Sequence, residues 1–273
     1  MNWFVTGSSR GLGRAIVEEA LAAGHRVAAT ARSVDSFGEL AAAYGDKLLP
    51  LVLDVTDAAQ AQTAVDAAIA AFGHLDVVVN NAGYANLVPI EDITLDDFRA
   101  QMDAVFYGTV YVTKAALPHF VERRAGHFIQ VTSVGGRGTA PGVGAYQSGK
   151  WAVEGFSGVL AKETGPLGVK VTLAEPGAMR TDWSGSSMEI PPVSANYAGT
   201  VGAMGEFLRQ RGGQEPIDPV KVARVLLDVA AMEQPPLHLP LGRDAVDIVR
   251  GEMAILNAED ARWAELGRSV DFD

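Results

Sequence analysis

Seven short apolar runs punctuate the chain: WFVT at 3–6, RVAATA at 26–31, LLPLVLDV at 48–55, HLDVVVNNAG at 74–83, HFIQVTS at 127–133, VKVTLAEPG at 169–177 and PPLHLPLG at 235–242. They are rich in aliphatic residues and lack polar alternation, which is the mark of strands covered on both faces. Between most of them the spacing changes. In GSSRGLGRAIVEEALAAG, Leu12, Ile16 and Ala20 recur at helical intervals before Gly24, giving one buried stripe and a glycine stop. Strands separated by helices run parallel through right-handed crossovers. The pattern predicts an α/β fold: a doubly wound, seven-stranded parallel sheet with helices on both faces, formed as a single domain over 1–273.

Two stretches break this rhythm. Residues 184–216 begin SGSSMEIPPVSANYAG, and their glycine, serine and proline predict a lid-like excursion over the sheet edge. Residues 243–273 follow the last strand as a helical tail. Helices expected over 98–122 and 147–164 carry apolar residues on more than one face, among them Val105, Phe106, Val110, Trp151 and Phe156. One face covers the sheet and another suits a second copy, so a homodimer or homotetramer is expected.

Composition then removes whole classes of function. A net charge of −11 repels phosphate backbones and anionic lipid, so neither nucleic acid nor a membrane surface is an expected partner. No apolar run reaches the length that spans a bilayer. The absence of cysteine excludes disulfides, thiolate nucleophiles and cysteine-held metals, and suits a reducing compartment. The first strand begins beside Met1 and leaves no room upstream for a cleavable leader, so a cytoplasmic location is expected. The histidines at 25, 74, 119, 127 and 238 show no ligand spacing, and no metal site is expected.

Candidate chemistry gathers at the ends of the apolar runs. Gly7, Gly11 and Gly13 occupy the turn from the first strand into the first helix, where bare backbone can approach a pyrophosphate at a helix N-terminus. Tyr146 and Lys150 stand four residues apart, hence on one helical face, one turn from each other.

The motifs TGSSRGLG at 6–13, LDVTD at 53–57, NNAG at 80–83, VTS at 131–133, YQSGK at 146–150 and EPGAMRTD at 175–182 occur in the order found in short-chain dehydrogenases/reductases. The resemblance covers residues 3–242, and the tail from 242 onward looks like the 17β-hydroxysteroid-dehydrogenase-like branch. It implies a Rossmann-type sheet and a nicotinamide cofactor. Carried over by position, Gly7, Ser9, Arg10, Gly11 and Leu12 would line the phosphates and adjoining ribose. Asp54 and Val55 would hold the adenine, while Asn80, Ala82 and Gly83 would support the adenosine half. Thr181, after Pro176 and Gly177, would contact the nicotinamide amide. Asp54 is also readable as a helix cap and Asn80 as a turn residue, each compatible with binding.

An acidic residue ending the second strand would bond the ribose 2′-hydroxyl and repel a 2′-phosphate. RVAATARS has none there and offers Arg32 instead, with Arg10 in the glycine loop. NADP(H) is therefore favoured over NAD(H).

The same resemblance makes Ser133, Tyr146 and Lys150 the catalytic residues. A free phenol is a poor base at neutral pH, but a nearby ammonium, or the positive ring of an oxidised cofactor, favours phenolate and lowers its pKa. Tyr146 would then exchange a proton with the substrate oxygen, Ser133 would hydrogen-bond that oxygen, and Lys150 would also hold the nicotinamide ribose. Val105 departs from the family, which usually has asparagine there; its backbone carbonyl is expected to keep a proton relay, with a modest loss of rate.

A pocket of Val134, Gly135, Tyr84, Val88, Val143, Met179 and Trp183 would receive an apolar or aromatic carbonyl or alcohol. The implied activity is an NADP(H)-dependent oxidoreductase that interconverts a carbonyl and a secondary alcohol. The alternatives are an NADP(H)-binding regulator with little or no catalysis, for which Val105 is the only sequence support, and an isomerase or dehydratase using the cofactor transiently.

Overall fold

The computed structural model describes residues 1–184 and 188–272. All seven apolar runs form strands: β1 (Asn2–Val5), β2 (Arg26–Ala31), β3 (Leu48–Val52), β4 (Val77–Asn80), β5 (Gly126–Val131), β6 (Val169–Pro176) and β7 (His238–Leu241). They pair in parallel in the order β3-β2-β1-β4-β5-β6-β7.

The helices are α1 (Gly11–Ala22), α2 (Gly38–Tyr44), α3 (Ala58–Phe72), α4 (Leu95–Met102), α5 (Gly108–Arg123), α6 (Gly144–Thr164), α7 (Ala203–Arg211), α8 (Pro219–Ala231) and α9 (Arg243–Arg268). Because successive strand residues point to opposite faces, the sheet feeds two cores. Trp3, Val5, Val79 and Ile129 meet α1 and α8 through Ile16 and Leu226. Phe4, Val78 and Phe128 meet α3, α5 and α6 through Val65, Phe120 and Leu160. For the inner strands β1, β2, β4, β5 and β6 the unbroken apolar run thus has a direct cause, since both faces are buried, whereas the edge strands β3 and β7 are only partly covered.

From β1 the chain moves outward to β2 and β3, then crosses back to β4. Connections leave β1 and β4 in opposite directions, and the crevice between their carboxyl ends is the ligand-binding place of such sheets.

The helix expected over 98–122 is interrupted. Between α4 and α5, residues Asp103–Tyr107 make a π-helical turn, in which the Thr109 hydroxyl donates to the Val105 carbonyl at 3.1 Å. Val105 is fully buried there, and its methyls lie against Gly149, where an added Cβ would come within 2.9 Å.

Residues 185–187 of the lid-like segment lie outside the described residues. The rest of it returns to the body: Met188 is buried, Leu87 N–H donates to the Glu189 carbonyl at 2.9 Å, and α7 follows. In the tail, α9 keeps Ala245 and Val249 buried, while Ile255, Trp263 and Leu266 are exposed. Residue 273 lies outside the described residues.

Candidate active site

The glycine turn after β1 is held closed by its neighbour β4. The Thr6 hydroxyl accepts from the backbone N–H of Asn81 and Ala82 at 2.9 and 3.1 Å, and the Asn81 amide donates to the carbonyls of Thr6 and Gly7. Only glycine suits two of these positions. Gly7 has φ +62°, and a Cβ there would stand 2.8 Å from Ala82 Cα; one on Gly13 would stand 2.5 Å from the Gly7 carbonyl. The first turn of α1 carries no acidic residue, so nothing offsets the positive end of its dipole.

A cleft of about 720 Å³ opens over this turn. Gly7, Ser9, Arg10, Gly11, Leu12, Arg32, Asp54, Val55, Ala82, Gly83, Pro176, Gly177 and Thr181 all line it, together with Ser133, Tyr146 and Lys150. Thr181 lies over Gly11, 3.6 Å from where a Cβ would be. The Asp54 carboxylate accepts from the Thr56 N–H and hydroxyl, so it shapes the β3 exit as well as walling the cleft. Neither Arg10 nor Arg32 has a carboxylate partner among the described residues.

Asn80 is a correction. It does not line the cleft; its amide donates inward to Thr113 and Gln130 at 3.1 and 2.8 Å, and the residue is buried. The reason is strand parity: as the last residue of β4, Asn80 faces the helices, and Asn81 is the asparagine that reaches the glycine turn.

The second half of the cleft is built by β5, α6 and the loop after β6. Ser133 follows β5 and accepts from the Gly135 N–H at 3.0 Å; its side chain also acts on the Tyr146 hydroxyl, drawing the phenol pKa down. Lys150, one turn further along α6, donates to the Val131 carbonyl at 2.7 Å and stands 5.6 Å from the Tyr146 ring centre. Trp183 lies across the tyrosine with ring centres 5.2 Å apart.

Both ionisable groups are buried, and burial decides their protonation. It pushes the Tyr146 phenol up to about 12, with the Ser133 hydrogen bond acting in the opposite direction. It pushes the Lys150 ammonium down to about 8, opposed by the charge of Glu154. The lysine is expected to lower the phenol, but burial governs it and the opposing influence comes from Ser133. As folded, the site presents a neutral hydroxyl, which is a proton donor.

Of the residues expected in the substrate pocket, Tyr84, Met179 and Trp183 line the cleft, whereas Val134, Gly135, Val88 and Val143 do not. Val88 and Val143 bridge to each other, and Val143 joins a satellite core with Leu87, Val105 and Met188. Phe207, Leu208 and Arg211 of α7 also line the cleft. Their spacing marks one helical face, but nothing local tells which surface that face meets. His238, read as unconnected to any ligand group, stands beside Glu154 and Glu175, with ligand atoms of all three within 4.8 Å of one another.

The family model described as short chain dehydrogenase matches residues 2–190. The chain is 50% identical over 265 residues to the oxidoreductase BOA17 of Botryotinia fuckeliana, covering 97% of this chain and 97% of that protein. A short-chain dehydrogenase from Streptomyces avermitilis superposes with a TM-score of 0.92 at 36% identity, covering 99% of this chain and 98% of its own. A serine dehydrogenase in a closed form complexed with NADP+ superposes at 0.76, with 29% identity, covering 88% of this chain and 93% of that one.

Proposed function

The chain belongs to the NAD(P)-dependent short-chain dehydrogenases/reductases, and from that premise we propose that it uses NADP(H) to interconvert a carbonyl and a secondary alcohol, with Tyr146 as the acid/base. The observation that carries this reading is the meeting of the Tyr146 hydroxyl, Ser133 and Lys150 in the wall of the same cleft as the glycine turn.

The residues present fit such a cofactor. Gly7, Gly11 and the open N-terminus of α1 suit a pyrophosphate. Arg10 and Arg32, without carboxylate partners among the described residues and with only Ala31 ending β2, suit a 2′-phosphate and favour NADP(H) over NAD(H). The NADP+ complex of the related serine dehydrogenase agrees with that preference. Val55, Ala82 and Gly83 wall the adenosine side, and Thr181 after Pro176-Gly177 suits the nicotinamide amide. The bound cofactor would supply the hydride.

In the reducing direction, Ser133 holds the carbonyl oxygen, and Tyr146 gives that oxygen its proton as hydride reaches the carbon. The phenolate left behind is balanced by the Lys150 ammonium. Oxidation runs the same transfers backwards, with Tyr146 removing the alcohol proton. Trp183, Met179, Phe207 and Leu208 give the cleft an apolar wall, which suits an apolar or aromatic substrate. Residues 188–216 act as a lid through α7. Tyr107 and Trp151, large and exposed, form the face for a second copy.

A spectrophotometric screen of NADPH oxidation over ketones, aldehydes and quinones tests the proposal. Turnover with an apolar carbonyl supports it; NADPH binding with no oxidation by any carbonyl would favour a regulator instead.

A further inference from the structure

Four ionisable side chains from four parts of the chain meet beside the tyrosine and lysine, and none of them lines the cleft. Glu154 lies on α6, one turn beyond Lys150. Glu175 is the penultimate residue of β6, before Pro176, His238 begins β7, and Arg137 follows the turn after Ser133. Arg137 Nη1 donates to both oxygens of Glu175 at 3.1 and 3.3 Å, and His238 Nδ1 stands 2.7 Å from Glu175 Oε1. The same nitrogen is 3.4 Å from Glu154 Oε2.

Glu175 is therefore compensated, and Glu154 carries the surplus charge. It is nine-tenths buried, its carboxylate pressed on the Ser133 turn, where a Cβ on Gly136 would come within 3.1 Å of Oε1. Neither oxygen accepts a well-formed hydrogen bond. Thr132 offers at most a marginal one, because its hydroxyl is directed to the Ala174 carbonyl. Arg137 already supplies the cation, which argues against a metal ion among these groups.

Such a carboxylate is costly to keep charged. Burial, with Glu175 adding to it and Arg137 and His238 opposing, pushes Glu154 up to about 7. The side chain of His238 is 44% exposed, so solvent reaches the cluster chiefly at that residue.

We propose that Glu154, a buried carboxylate one turn along α6 from Lys150, governs the charge on Lys150 through its own protonation, with His238 bearing on it from β7, making the pair positioning residues for the tyrosine–lysine acid/base. The inference rests on the reading of Tyr146 and Lys150 given above. With Glu154 ionised, Lys150 keeps its ammonium and Tyr146 its partner; with Glu154 neutral, Lys150 releases its proton more readily. The groups that act on Glu154 are Thr132, Glu175 from β6, His238 from β7 and Arg137, and Glu154 in turn acts on Lys150 of its own helix. Glu252 of α9 packs on Gly138 nearby.

The test is an NMR titration of the full chain labelled at lysine Cε, following Lys150, assigned by Lys150→Arg, with no substrate needed. The wild-type curve should show two steps, one near pH 7 as Glu154 titrates and one near 8. In Glu154→Gln the first step should vanish and the second move down by on the order of one pH unit. His238→Asn should displace the first step alone. A single-step wild-type curve, or an unmoved midpoint in Glu154→Gln, overturns the proposal. Should Glu154→Gln not fold, the wild-type and His238→Asn curves still decide. If the coupling is absent while NADPH oxidation proceeds, only this inference fails; coupling without any hydride transfer would count against the proposed reaction instead.

Discussion

Arg32 shows how far single residues carry the account. It stands just past β2, in the cleft wall, with no carboxylate partner among the described residues, so its charge suits a 2′-phosphate. Arg32→Asp should reverse the preference: NADPH binding weakens by about 10- to 100-fold, the scale of a lost charge-assisted contact, while NADH binding holds or improves. Fluorescence titration with both nucleotides measures this, and equal losses for both would remove the argument for NADP(H). Residues whose role is local were legible in the sequence. Gly7 and Gly13 follow from the turn they make, and Tyr146 with Lys150 from one turn of helix. Asn80 misled because NNAG presents two adjacent asparagines, and only the end of β4 decides which one faces the cleft. Glu154, Glu175 and His238 were illegible as a group, since their meeting is created by the pairing of β6 with β7.

At the scale of elements, the π turn over Asp103–Tyr107 could not be read from a run whose apolar spacing fits a continuous helix. It forms where Val105 packs against Gly149 and beside Gly83, whose absent Cβ would lie 3.6 Å from Val105 and 3.7 Å from Lys150 Nζ. An amide side chain at 105 would therefore enter the surroundings of the lysine. Val105→Asn should raise turnover by roughly two- to ten-fold, a small part of what general acid–base groups contribute. Unchanged or reduced turnover in a folded variant would show that the valine costs the site nothing.

Strand β5 carries a separate liability in His127, which is buried and bonded to Thr172 at 2.9 Å. Burial, helped by Lys170, lowers its pKa from 6.5 to about 4. Between those values the unfolded chain binds more protons than the folded one, so stability is fully present above pH 6.5 and drains away as pH falls through 4. That shift corresponds to about 3 kcal/mol. Denaturant melts at pH 7 and pH 4.5 should show a smaller loss for His127→Gln than for wild type; parallel losses would mean that other groups govern acid unfolding.

For the molecule as a whole, the unbroken apolar runs were enough to give seven strands and two helical layers, because a sheet buried on both faces leaves no other pattern. The same logic could not show where α7 and α9 lie, since their amphipathic faces specify burial without specifying a partner. Among the described residues no helix is long and apolar enough to cross a membrane. What the assembled fold achieves is a neutral phenol, raised to about 12 by its burial, held at the mouth of a cleft whose other end is shaped for a dinucleotide. The most direct measurement is single-turnover NADPH oxidation by Tyr146→Phe, with the best carbonyl from the screen, alongside NADPH affinity. The account predicts a loss of about 10²- to 10⁴-fold in rate with affinity kept; a rate equal to wild type would contradict it.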